Sequence, residues 1–177
     1  MTIKMIKDPI HGFIEFEGDS ENNLKDMLSD PFVQRLRRVK QLGFSDNIFP
    51  SATHSRFAHS LGVYAIAKKM LSIVEPNAHQ GKWSNDGQAC LAAALLHDVG
   101  HGMFSHAFEK AMALFFERNP NLINSNLKLQ DAVKHEKISS RIILESSVKE
   151  HLINLDGVDL PNRVASLDFS RGIKESG

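Results

Sequence analysis

The chain opens on a period of two. Ile14 and Phe16 alternate with Glu15 and Glu17, and Asp8-Pro9 and His11-Gly12 carry turn chemistry, so residues 3–17 are predicted to form a short hairpin. From Pro31 the period changes. Phe32, Val33, Leu36 and Val39 recur at helical spacing, Pro31 suits a first helical turn, and Gly43 is placed to end that helix. A longer helix is predicted from about His54 to Val74, with Phe57, Leu61, Tyr64, Ala65, Met70, Leu71 and Val74 on its apolar face and Ser55 or Thr53 as cap. The next, about Asn85 to Val99, is apolar nearly all round (Ala89, Leu91 through Leu96), which predicts a central, buried helix with Gly100 as a left-handed stop. Further helices are predicted at about 104–117, 129–146, 148–154 and 161–168. No repeat, low-complexity stretch or long linker interrupts this pattern. The expectation is one domain over residues 1–177, mainly α, with a short β-hairpin at its N-terminus.

Composition narrows the partners. Lysine plus arginine number 21 and aspartate plus glutamate 21, so no global field draws the chain to nucleic acid or membrane, and any attraction for anions is local. Cys90 is the only cysteine, which excludes an internal disulfide and suits a reducing compartment. The longest apolar run, Cys90 to Leu96, falls far short of the roughly 20 residues of a membrane helix. Met1 to Ile10 carries no secretory apolar core. These features read as a soluble cytoplasmic protein.

The candidate chemistry is concentrated in Leu95-Leu96-His97-Asp98-Val99-Gly100-His101-Gly102-Met103-Phe104-Ser105-His106, with His59 upstream. An aspartate directly after an apolar run needs a cation or several donors, because burying an unpaired carboxylate is very costly. Imidazole and carboxylate together suit a divalent Mn, Fe, Co, Ni or Zn. Adjacent helical residues point about 100° apart, so His97 and Asp98 converge on one ion only at a helix end, with His59 as third donor from a helix packed opposite. Singly, a histidine such as His59 is more often a core or surface residue; His11, His54, His79 and His151 are read that way. His106 and Glu109 share a helix face, a carboxylate beside an imidazole favours imidazolium, and imidazolium can protonate a leaving oxygen. Taken alone, Glu109 is a solvated side chain. Arg56 shares the face of His59 and suits a phosphate. Arg35, Arg37, Arg38 and Lys40 form a second basic group, whose alternative is a solvated helix face.

These blocks, in order, resemble a family. Asp8-Pro9-Ile10-His11-Gly12, Gln34-Arg35-Leu36-Arg37-Arg38-Val39-Lys40-Gln41-Leu42-Gly43, His54-Ser55-Arg56-Phe57-Ala58-His59-Ser60-Leu61-Gly62, the block around His97-Asp98 and His135-Glu136 are similar to the HD-superfamily deoxynucleoside triphosphate triphosphohydrolases, the dGTPase-like metal-dependent phosphohydrolases. The resemblance implies a helical HD-domain fold and release of deoxynucleoside and inorganic triphosphate. It implies one divalent metal on His59, His97 and Asp98, with Mg also possible alongside substrate. Arg56 and His101 become phosphate contacts, His106 with His135 and Glu109 the catalytic group, and Gln41 and Leu42 the pair against the deoxyribose. Members are oligomeric and several are switched on by nucleotides, which implies a homo-oligomer and an effector near Arg35, Arg37 and Arg38. Ser29 stands where an acid reads guanine in the effector-gated relatives, which argues against guanine-specific activation.

The family's fourth metal ligand is an aspartate in an Asp-Ala-Asp-Arg-type helix. No such motif follows here, although Val164-Ala165-Ser166-Leu167 resembles the stretch before it, and Asp156, Asp159 and Asp168 are the late aspartates. The chain is therefore read as the N-terminal portion of a larger enzyme. Two alternatives stand beside hydrolysis of deoxynucleoside triphosphates. One is hydrolysis of another nucleotide; the other is a catalytically impaired nucleotide- or metal-binding module.

Overall fold

The computed structural model describes residues 4–78, 82–104, 106–125 and 133–167. It opens with the expected hairpin, β1 (Lys4–Asp8) antiparallel to β2 (Gly12–Phe16), with Ile6 opposite Ile14. The Asp8 carboxylate accepts the amides of Ile10 and His11 at 2.9 and 2.8 Å and so closes the turn, which Gly12 leaves at a φ of +74°. The alternation decides the faces. Ile14 and Phe16 are buried, and Phe16 stacks on Tyr64 with ring centroids 4.9 Å apart.

Helix α1 (Gly18–Met27) was not foreseen from the pattern, since only Leu24 and Met27 point inward as apolar residues. Its third inward residue is Glu21, wholly buried, which accepts from the Glu17 amide (2.8 Å), Lys68 Nζ (2.8 Å) and Trp83 Nε1 (2.6 Å). A buried carboxylate is tolerable only when its lone pairs are met, and these donors tie β2, the long helix and the segment before the central helix together.

The helix expected from Pro31 to about Gly43 is cut short. Only α2 (Pro31–Gln34) is α-helical; Arg35–Arg38 tighten to a 3₁₀ turn and Val39 is extended. The cause is pairing. Val39 accepts from the Arg56 amide at 2.8 Å and Gln41 donates to the His54 carbonyl at 3.0 Å, a bridge incompatible with helix. Gly43 has a φ of +58° but sits in a turn, not at a helix stop.

Helix α3 (Arg56–Val74) starts where Ser55 accepts from the Ala58 amide, as a cap should. Its apolar face is buried only over the first half; Met70 and Val74, expected inside, are exposed. Helix α4 (Asn85–Leu96), capped by Ser84, is the buried centre: Leu91 through Leu96 are all inside. After α5 (His106–Arg118) and the short α6 (Pro120–Ser125), helices α7 (His135–Glu145), α8 (Ser147–Asp156) and α9 (Leu160–Ser166) close around it. α3 packs along α4 on one side, α8 and α9 on the other, and α7 packs on both α8 and α9. The expected stretch 129–132 and residue 168 lie outside the described residues, as does His79. Among the described residues no helix is long and apolar enough to cross a membrane.

Candidate metal centre

α4 stops at Leu96, three residues earlier than expected, and that early stop builds the site. His97 becomes the C-cap, still with helical dihedrals, and Asp98 follows it in the turn. α3, packed alongside, brings His59 from its first turn. The triangle is tight: His59 Nε2 to His97 Nε2 is 3.3 Å, His97 Nε2 to Asp98 Oδ2 3.5 Å, and His59 Nε2 to Asp98 Oδ2 3.8 Å.

These are the edges one ion requires. Donors bound at about 2.0–2.1 Å in tetrahedral array stand about 3.4 Å apart. The lone pairs agree. His97 Nδ1 lies 3.0 Å from the Ala94 carbonyl, an acceptor, so Nδ1 carries the proton and Nε2 turns its lone pair to the other donors. Burial holds His59 below the usual imidazole range despite the Asp98 charge, which favours its neutral, ligating form. Burial pushes Asp98 up, but His97, Arg56 and His101 together outweigh it and the carboxyl stays below its ordinary value. The donor set is thus two imidazoles and a carboxylate, a good fit to a first-row divalent ion with open positions.

Arg56 is 2% exposed and reaches the same carboxylate, Nη1 to Asp98 Oδ2 at 2.5 Å. His101 is also buried, with Nε2 3.4 Å from Asp98 Oδ1; burial first, then Arg56 and His135, push it down to about 3, so its ring is neutral. His101 is the hinge between two groups. On its far side its ring stacks on His135 at 3.7 Å and meets His106 edge-on at 4.8 Å. Glu109 links the latter two, Oε2 to His106 Nδ1 at 3.1 Å and Oε1 to His135 Nδ1 at 2.6 Å, and also accepts the His135 amide. Burial raises Glu109, but its bonds to His106 and His135 prevail and keep it ionised below the usual range. His106 is the solvent-facing member, its side chain 61% exposed.

Two positions, one read differently in the sequence and one missed there, hold these groups in register. Gly100 is not left-handed, contrary to expectation; it is glycine because α7 leaves no room. A Cβ there would stand 2.1 Å from the His135 carbonyl oxygen and 2.4 Å from the Ser139 nitrogen. Ser139, buried, accepts the Gly100 amide at 2.8 Å and lies 3.3 Å from the His97 carbonyl. Its place one helical turn after His135 was the only available signal. The left-handed residue in this loop is Phe104, φ 62°, which stacks on Phe44 at 4.4 Å.

Arg35, grouped with Arg37 and Arg38 in the sequence, is turned inward. It donates to the carbonyls of Val99 and His101 and so braces the turn that carries Asp98. Arg37 lies over the Phe57 ring at 3.7 Å, and both Arg37 and Arg38 are exposed. The bridge to α3 sets Gln41 and Leu42 beside the start of that helix; Leu42 is half exposed and Gln41 Oε1 is buried without a hydrogen-bond partner among the described residues. On the opposite side a cavity of about 240 Å³ is lined by His97, Asp98, His135 and Ser139 together with Val164 and Leu167 at the end of α9. Among the described residues the first cluster has three donors. Asp156 pairs with Arg163 at 3.6 Å and Asp159 is the residue before α9, so neither is a fourth; Asp168 lies outside the described residues.

Residues 56–167 match the HD domain. The chain is 44% identical over 115 residues to the uncharacterized protein YwfO of Bacillus subtilis, covering 64% of this chain and 25% of that one. It is 36% identical over 168 residues to the uncharacterized protein MG461 of Mycoplasma genitalium (94% and 36%). It is also 38% identical over 151 residues to the deoxynucleoside triphosphate triphosphohydrolase SAMHD1 of Bos taurus (76% and 24%). The chain thus spans between 24% and 36% of the length of these relatives. Among solved structures, a phosphohydrolase of Bacteroides thetaiotaomicron superposes with a TM-score of 0.66 at 28% identity, over 95% of this chain and 36% of the other. A hypothetical protein of Aquifex aeolicus superposes at 0.68 and 30%, over 96% and 38%.

Proposed function

The chain belongs to the HD domain family, and on that premise we propose that it serves a metal-dependent phosphohydrolase acting on deoxynucleoside triphosphates and releasing deoxynucleoside and triphosphate. The observation that carries this reading is the contiguity of the two clusters through His101, which puts an acid–base group one imidazole away from the metal triangle. The name of the Bos taurus relative supports the substrate class.

His59, His97 and Asp98 would hold a divalent ion, which when bound would supply Lewis acidity and lower the pKa of water. The residues of the chain do the rest. Arg56 meets the phosphoryl oxygens and offsets the charge that grows on them, and the neutral His101 donates a hydrogen bond to them. The oxygen of water joins the α-phosphorus and sheds one proton to solvent as the bond to the 5′-oxygen breaks. His106, the accessible imidazole, gives its proton to that departing oxygen, while Glu109, itself bonded to His135, holds its ring. Gln41 and Leu42 form the wall for the deoxyribose. A nucleotide effector near Arg37 and Arg38, assembly as a homo-oligomer and a cytoplasmic setting belong to the same reading; Arg35 is engaged elsewhere.

The test is to incubate the purified protein with each deoxynucleoside triphosphate, and with other nucleotides, plus Mn²⁺ or Mg²⁺, and to measure triphosphate. His106→Ala is expected to abolish turnover and keep the metal. Surviving turnover would remove His106 from its role. A second reading, a nucleotide- or metal-binding module without turnover, is favoured by the three-donor metal set among the described residues. Bound metal with no product from any nucleotide selects it.

A further inference from the structure

The acid–base group is built like a metal site in its own right. His101, His106, Glu109 and His135 place one donor atom each within 4.8 Å of one another. They come from three separate segments: the turn after α4, the first turn of α5, and the first residue of α7. The Glu109 carboxylate already meets an imidazole nitrogen with each oxygen, at 2.6 and 3.1 Å. The 3.1 Å contact has the span of two ligands at right angles on one ion, about 3 Å, and the 2.6 Å contact must open by a few tenths of an ångström to reach it. The remaining donor, His101, is fixed by burial, and the exposed side of His106 leaves a path from solvent.

The two clusters differ in donor chemistry. The triangle of His59, His97 and Asp98 has three donors and leaves positions open. The second has three nitrogens and one carboxylate and can complete a tetrahedron unaided, the preference of Zn²⁺ over harder ions such as Mg²⁺ or Mn²⁺.

We propose that His101, His106, Glu109 and His135 form a second, inhibitory metal site selective for a nitrogen-preferring ion such as Zn²⁺. Formation of the metal–donor bonds releases to solvent any proton held between Glu109 and the two imidazoles, and the proton donor for the leaving oxygen is lost. The same bonds clip α5 to the body of the domain; that helix otherwise buries only Phe116. The inhibitory half of the proposal rests on the hydrolase reading above, whereas the binding half does not.

The experiment is a Zn²⁺ titration of the metal-free protein by calorimetry and elemental analysis, repeated with Co²⁺ for its ligand-field spectrum. Two equivalents are expected to bind. Asp98→Asn is expected to lose one of them, and His135→Gln and Glu109→Gln each to lose the other. A single equivalent in the unaltered protein overturns the proposal, and so does a second equivalent that persists in both His135→Gln and Glu109→Gln. Protein preloaded with one equivalent of Mn²⁺ is then assayed for turnover as Zn²⁺ is added. At least a tenfold loss in step with the second equivalent is expected, and full turnover with that equivalent bound refutes inhibition. If no nucleotide is hydrolysed under any condition the hydrolase reading fails, while the stoichiometries still decide the site.

Discussion

Replacing Gly100 by alanine probes the contact that aligns the metal triangle with the acid–base group. The added Cβ would stand 2.1 Å from the His135 carbonyl oxygen, 2.4 Å from the Ser139 nitrogen and 2.6 Å from Ser139 Oγ. Two of these are backbone atoms in the first turn of α7, so no side-chain rotation relieves them. Ordinary contact begins near 3.4 Å, and the turn and the helix must part by about 1.3 Å. Parting breaks the 2.8 Å bond from the Gly100 amide to Ser139. The lost bond costs about 1 kcal/mol and overpacking about 1–3 kcal/mol. At about 2–4 °C per kcal/mol for a chain of this size, Tm falls by roughly 5–15 °C. A reacting group displaced by about 1 Å costs on the order of 10²-fold, so turnover falls by about that factor while His59, His97 and Asp98 still bind metal. Gly102→Ala is the control, because nothing lies within 4 Å of a Cβ there. Thermal unfolding, metal content and turnover are measured on both variants. A Gly100→Ala protein with unaltered Tm and turnover, or an equal loss in Gly102→Ala, would refute the reasoning.

Asp98→Asn removes the carboxylate charge facing Arg56 where the two side chains are 8% and 2% exposed; a loss of about 3–5 kcal/mol in urea unfolding is expected, together with loss of the first metal, and full metal content would exclude Asp98 as a ligand. His101 is depressed to about 3 from an ordinary 6.5, so between those values the unfolded chain binds the extra proton and stability falls as pH drops; His101→Gln flattens that part of the stability–pH curve, and an unchanged slope contradicts the assignment. Glu21→Ala leaves Trp83 Nε1 and the Glu17 amide without their acceptor, which costs about 3 kcal/mol in denaturant melts with metal content unchanged; loss of metal instead would show that this network supports the site.

Residue type and spacing alone singled out the three candidate metal donors that the structure brings together. An aspartate after a fully apolar helix has no tolerable bland environment, so His97-Asp98 announced itself, and His59 followed from the helix expected alongside. The hairpin and the burial of α4 were legible for a similar reason: periods of two and near-continuous apolarity leave few alternatives. Contacts between distant segments were not legible. The helix expected through Val39 gives way because that residue pairs with the start of α3. Gly100 looked like a stop signal and is a point of closest approach. Arg35 looked like part of a surface charge cluster and braces two carbonyls of the turn after α4. Helix α1 hid because one of its three inward residues is a carboxylate, acceptable only once Lys68 and Trp83 converge on Glu21. Local pattern determines which residues must be buried and which cannot be buried alone. Which partner then satisfies them depends on side chains brought together across tens of residues, and only the packed structure decides that.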